Sequence, residues 1–79
     1  MRAKSYRGHL VQFESEPKRS GEWLARVTIV FTESGKEKRI PIFGRNRMTF
    51  ETRARADAYG FELAKLWIDG RLWGTNGHG

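Results

Sequence analysis

The chain has 79 residues, with 15 Lys and Arg against 9 Asp and Glu for a net charge of +6, and it has no Cys. So short a chain buries a limited core, and three Trp, five Phe and two Tyr must supply most of it, which argues for a folded domain over a disordered tail. Disulfides and thiolate metal sites are excluded, no apolar run is long enough for a signal peptide or a membrane span, and a reducing cytoplasm is the expected setting.

Residues 1–5 are polar and are expected to fray. Tyr6 to Glu14, YRGHLVQFE, reads as a first strand in which Gly8 marks a bulge. Its facing is ambiguous, because strict alternation cannot put Leu10 and Phe13 on one face. Ser15 to Gly21, SEPKRSG, reads as a connecting loop. Glu22 to Thr32 is the clearest strand: Trp23, Ala25, Val27, Ile29 and Phe31 alternate with Leu24, Arg26, Thr28 and Val30, and the odd set is assigned to the helix side. Glu33-Ser34-Gly35-Lys36 is a hairpin turn. Glu37 to Phe43 follows as a third strand, and Pro41, which cannot donate to a ladder, places it at an edge or marks a position turned to solvent.

Gly44 to Thr49, GRNRMT, links sheet to helix, with Phe50 filling the corner before the cap. From Thr49 to Gly70 the residues Ala56, Gly60, Leu63, Ala64, Trp67 and Ile68 recur at i, i+4, i+7, i+8, i+11 and i+12, the stripe of an amphipathic helix. Thr52 is its expected N-cap and Gly70 its expected end. Gly inside a helix costs about 0.5–1 kcal/mol relative to Ala, so Gly60 is read as letting the helix backbone approach the sheet, over Trp23 or Phe31. Beyond Gly70, Trp73 precedes a Gly-rich stretch, 74–79, expected to be flexible. The chain is thus expected to be one α+β domain over 1–79 with an ordered core of about 6–70. Its architecture is a three-stranded antiparallel sheet, order 1-2-3, with one C-terminal helix packed on one face.

Catalytic signals are weak, and no enzyme is expected. His9 and His78 lack a partner at metal-ligand spacing and read as surface residues; no cofactor is implied. Asp57, Glu62 and Asp69 are spread along the helix, where Glu62 and Lys65 at i, i+3 mark a solvated face. No carboxylate pair is placed for acid and base roles, and no glycine-rich phosphate loop is present. The positive balance favours a polyanion such as DNA or RNA. Its densest expression is Arg45, Arg47, Arg53 and Arg55 around the helix start, where cations oppose the helix dipole while free N–H groups favour an anion. A bound phosphate would resolve that conflict; the other resolution is pairing of these arginines with Glu51 and Asp57. A second surface is the sheet face opposite the helix, with Leu24, Arg26, Thr28, Val30 and either Lys38 or Arg39, suited to a nucleic-acid groove, to a protein partner or to self-association.

Tyr6-Arg7-Gly8, Gly21-Glu22-Trp23-Leu24-Ala25-Arg26-Val27, Phe43-Gly44, Phe50-Glu51-Thr52 and Ala56 resemble the ethylene-response-factor DNA-binding domain of plants and its phage and integrase relatives. The resemblance implies three strands and a helix, with the sheet laid in the major groove and Arg7 and Arg26 at groove-facing positions. Leu10, Gln12 and Thr28 depart from the family's arginines there, and GRNRMT lengthens the connection. The Trp-bearing second strand and the helix with Trp-Ile-Asp-Gly are equally similar to small bacterial proteins of unknown function. The reading is a small non-enzymatic binding module for DNA or RNA, or else a protein-interaction or oligomerisation domain using the exposed face or the edge strand.

Overall fold

A computed structural model describes residues 2–44 and 48–77, with side chains up to residue 73. Among these residues, seven strands and one helix follow in chain order: β1 (Ala3–Tyr6), β2 (His9–Phe13), β3 (Glu16–Pro17), β4 (Trp23–Leu24), β5 (Arg26–Glu33), β6 (Lys36–Phe43), β7 (Thr49–Phe50) and α1 (Arg53–Gly77). They form a four-stranded antiparallel sheet, order β1-β2-β5-β6, and a three-stranded sheet, order β3-β4-β7. The α+β class and the single helix across antiparallel strands are as expected. The expectation of one three-stranded sheet is corrected to two sheets, and two local features account for the difference.

The first is at the N-terminus. Residues expected to fray form β1, an edge strand in register with β2 from Ala3↔Gln12 to Tyr6↔His9. The predicted first strand is therefore a hairpin bent at Arg7-Gly8, where Arg7 (φ 47°) and Gly8 (φ 77°) both take the left-handed conformation. Such φ values at both central residues make the tight turn whose twist suits a hairpin. Gly8 is thus a turn residue and not a bulge. Strict alternation then survives, because His9, Val11 and Phe13 face inward and Leu10 faces out.

The second is at Ala25. The predicted long strand is interrupted there, with β4 pairing to β3 and β7 while β5 pairs to β2 and β6. Ala25 is fully buried, and its carbonyl accepts from Gly44 N at 3.3 Å. The small side chain lets the chain leave one sheet and enter the other at this corner. Glu16-Pro17, expected as loop, supplies one outer strand of the small sheet. The Glu33–Lys36 hairpin is as predicted, with Ser34 and Gly35 both at positive φ (52° and 77°), and β6 carries Pro41 on the opposite sheet edge from β1.

Val11, Val27, Ile29 and Phe31 from the sheet close against Ala64 and Ile68 of α1, with Tyr6, Phe13, Ile40, Ile42, Phe61, Trp67 and Leu72 packed around them. Thr52 caps α1 as predicted, its Oγ1 accepting from Arg55 N at 3.1 Å. Gly60 gives close approach over Val27, where a Cβ would meet Cγ1 at 2.7 Å, and not over Trp23 or Phe31.

Gly70 does not end the helix, which continues to Gly77. Leu72 joins the core surround and Arg71 lies 4.2 Å over the Phe31 ring, contacts that offset the roughly 1 kcal/mol cost of an internal glycine. A 25-residue helix is about 38 Å long, whereas eight-residue β5 spans about 27 Å. α1 therefore covers the larger sheet and brings its first turns against β4 and β7 as well.

Candidate nucleic-acid interface

The start of α1 is assembled by the small sheet. Trp23 pairs with both Pro17 and Phe50, so the β3–β4 turn and the chain entering the helix lie at the same end, two strand spacings or about 10 Å apart. Phe50 stacks on Tyr59 of the helix with ring centres 5.1 Å apart, holding that geometry from the helix side. The turn itself is closed by Lys18 N donating to Glu22 O at 2.8 Å and Gly21 N donating to Lys18 O at 2.9 Å, with Gly21 at φ 92°. Lys18 and Arg19 are exposed on it and form no ion pair among the described residues.

The predicted arginine cluster divides. Arg45 and Arg47 lie outside the described residues. Arg53 is partly committed: its guanidinium lies 5.7 Å over the Trp23 ring and its Nε is 4.0 Å from Asp57 Oδ2. Arg55 is exposed and has no ion pair among the described residues, and the first turn of α1 holds no acidic residue. Pairing with Asp57 therefore accounts for Arg53 but not for Arg55. Lys18 and Arg19 are the cations the sequence reading missed. A two-residue strand produces no alternation pattern, so nothing local in SEPKRSG showed that its turn would be carried to the helix start.

The other two candidate arginines are tied down. Arg26 faces outward from β5, but it bonds Glu16, its Nε is 3.8 Å from Glu14 Oε1, and its guanidinium covers the Phe43 ring at 5.4 Å. Arg7 lies 3.4 Å from Asp69 and 5.6 Å over the Tyr6 ring, drawn toward the helix. On the same outer face Arg39, and not Lys38, spans the sheet, donating to Glu37 at 3.0 Å and to Gln12 at 2.9 Å. Thr28 is buried and donates to Glu14 at 2.7 Å. Between these polar pairs the face shows Leu10 and Phe43, the latter 57% exposed.

Among the described residues two titratable side chains are buried. His9, expected to be exposed, is only 5% exposed because alternation places it inward beside Phe31, ring centres 5.0 Å apart. Its Nδ1 donates to Arg7 O at 2.7 Å, which leaves Nε2 to accept from Arg71 Nη1 at 3.3 Å; His78 lies outside the described residues. Asp57 is 4% exposed, and its Oδ1 accepts from Ser15 Oγ at 2.7 Å across the corner between the two sheets. Glu62 and Lys65 form the expected solvated pair at 2.8 Å, and this hydrogen bond holds the Lys65 pKa above its ordinary 10.5.

Among the described residues no three His, Asp or Glu side chains gather as metal ligands, and no helix is long and apolar enough to cross a membrane. Comparison with family models, curated proteins and solved structures finds no match to this chain.

Proposed function

We propose that this chain is a small non-enzymatic module that binds DNA or RNA through the basic end formed by Lys18, Arg19, Arg53 and Arg55, with Arg45 and Arg47, outside the described residues, as further candidates. One observation carries the reading. Among the described residues the arginines elsewhere are held by carboxylates, whereas Lys18, Arg19 and Arg55, like Lys36 and Lys38 of the β5–β6 hairpin, have no acid partner, and the first three stand beside a helix whose first turn holds no acidic residue. Such a place attracts phosphate through both the cations and the free N–H groups of the first turn. Trp23 and Phe50 lie alongside it, which suits a strand whose bases can stack. The resemblance to plant and phage DNA-binding domains points to the same ligand class, with Arg7 and Arg26 as lesser contributors because their charges are already compensated.

Salt dependence tests the reading. About four phosphate contacts to a single strand, each contributing roughly −0.7 to the slope of log K against log salt, predict a loss of about 50-fold between 50 and 200 mM salt. Lys18→Ala with Arg19→Ala should weaken binding for all sequences alike and shallow that slope by about 1.4. An affinity that ignores salt would refute it.

The exposed Leu10 and Phe43 support a second reading, a protein-interaction or oligomerisation surface on the outer sheet face. It predicts association that Phe43→Ser abolishes and that salt leaves nearly unchanged, read by sedimentation.

A further inference from the structure

His9 is a buried titratable ring that the proposed binding end does not use, and it packs under the last turns of α1, far from the helix start. Its Nδ1 donates to Arg7 O at 2.7 Å, so the acceptor Nε2 faces Arg71 Nη1 at 3.3 Å. The same guanidinium donates through Nη2 to Glu33 at 2.9 Å and lies 4.2 Å over the Phe31 ring, which in turn packs on the His9 ring. Arg71 thus ties α1 to β2 and β5 at once. The tie sits just past a weak point. At Gly70 an added Cβ would meet nothing, and glycine lowers the helix's own stability there, so the run beyond it depends on what Arg71 and Leu72 grip.

The charges around the ring are already matched. From the β1–β2 hairpin, Arg7 pairs with Asp69 of α1 at 3.4 Å, and Tyr6 donates to both oxygens of that carboxylate at 2.9 and 3.0 Å. From α1 and β5, Arg71 pairs with Glu33, while Lys36 and Lys38 of β6 stand opposite Glu33 and Phe31 in the register. A proton taken from solvent by Nε2 therefore adds a cation that no further carboxylate among the described residues offsets, in a site almost closed to water. It also turns the acceptor into a second donor aimed at a guanidinium, and like charges at that distance repel more than one lost hydrogen bond weakens. Imidazole is the side chain that takes a proton between about pH 8 and 5. We propose that His9 is a pH latch: neutral, it holds Arg71 and the last turns of α1 against the sheet; protonated, it expels Arg71, and the helix frays back to Gly70 and uncovers Phe31. This regulation does not rest on the nucleic-acid reading, since no group of the basic end takes part in it.

The test is an NMR titration of the isotope-labelled full chain from about pH 8 to about pH 5. The Cα signals of Arg71, Leu72 and Trp73 should lose roughly half or more of their helical displacement, along the same curve as the His9 ring signals, while those of Ala56 to Ile68 stay helical. His9→Gln keeps an acceptor but takes no proton in this range, and its helix end should stay unchanged throughout. Gly70→Ala keeps the latch intact at an exposed position with room for the methyl group, so it folds even where a change at the buried ring does not. It should hold residues 71–73 helical to lower pH than the parent. The proposal is overturned by a helix end that stays constant while the His9 ring titrates, or by a His9 ring that titrates only as the whole domain unfolds. Equal loss in His9→Gln and the parent would overturn it too, by assigning the change to Glu33 or Asp69.

Discussion

The tightest approach at any described glycine is testable with a single methyl group. At Gly60 a Cβ would lie 2.7 Å from Val27 Cγ1, where ordinary carbon contacts are 3.5–4.0 Å, so the two groups must separate by about 1 Å. Val27 is fully buried in the central strand β5 and has no free side to retreat into. Gly60→Ala alone would gain about 1 kcal/mol of helix propensity on an open surface. Here overpacking costs about 1–3 kcal/mol, so the net effect is a loss of about 0–2 kcal/mol. Gly60→Leu, with more volume and the same obstruction, should lose about 1–3 kcal/mol net. The decisive measurement is a double-mutant cycle. In a Val27→Ala background the obstruction is gone, so Gly60→Ala should become stabilising, with a coupling of about 1–3 kcal/mol. Urea unfolding followed by helical circular dichroism reads each variant, and 1 kcal/mol corresponds to about 4–8 °C in Tm at this size. A Gly60→Ala variant that melts above the parent, or a cycle without coupling, would show that the helix does not rest on Val27.

Further outcomes follow from the same packing. Ile68→Ala should cost about 3–5 kcal/mol, more than Trp67→Ala at about 2–3, because Ile68 is wholly enclosed and Trp67 is only half-buried; the reverse order in thermal melts would place the helix stripe wrongly. Lys65 gains its raised pKa from Glu62, so the folded state keeps a proton that the unfolded state releases near 10.5. The stability advantage of the parent over Glu62→Gln should therefore be full below pH 10.5 and vanish as pH rises beyond it, and an advantage that grows with alkalinity would contradict the pairing. Removing the Ser15 hydroxyl by Ser15→Ala should cost about 1 kcal/mol or more, since it takes a partner from the buried Asp57 carboxylate. An unchanged urea midpoint would show that Oδ1 is satisfied elsewhere.

The elements legible in the sequence are those whose information is local. The alternation through Val27, Ile29 and Phe31, the turn at Ser34-Gly35 and the capping Thr52 each specify their own conformation from a few neighbouring residues. The β1–β2 hairpin escaped notice because Arg occupies a left-handed position usually marked by Asn, Asp or Gly. The small sheet escaped because strands of two residues have no period. At Gly70 the local stop signal is overridden by Leu72 and Arg71, which reach the core surround and Phe31 respectively.

The candidate sites divide along the same line. Net charge and the arginines near residue 53 are properties of the chain, and they direct attention to the helix start without any coordinates. Which cations stay uncompensated is a property of the fold: it sets Arg7 against Asp69 and Arg26 against Glu14 and Glu16, and leaves Arg55 and the Lys18-Arg19 turn facing solvent at one end. The inward turn of His9 and the enclosure of Asp57 are likewise tertiary. A side chain's partners lie across sheet corners and helix faces, 62 positions away for His9 and Arg71 and 63 for Tyr6 and Asp69, and no short-range pattern encodes them. Local sequence thus determined the central hairpin, the capped amphipathic helix and the positive charge, because turn chemistry, periodicity and composition act over a few residues. Only long-range packing decided the second sheet, the buried carboxylate and the cations left free, because those depend on which distant surfaces meet.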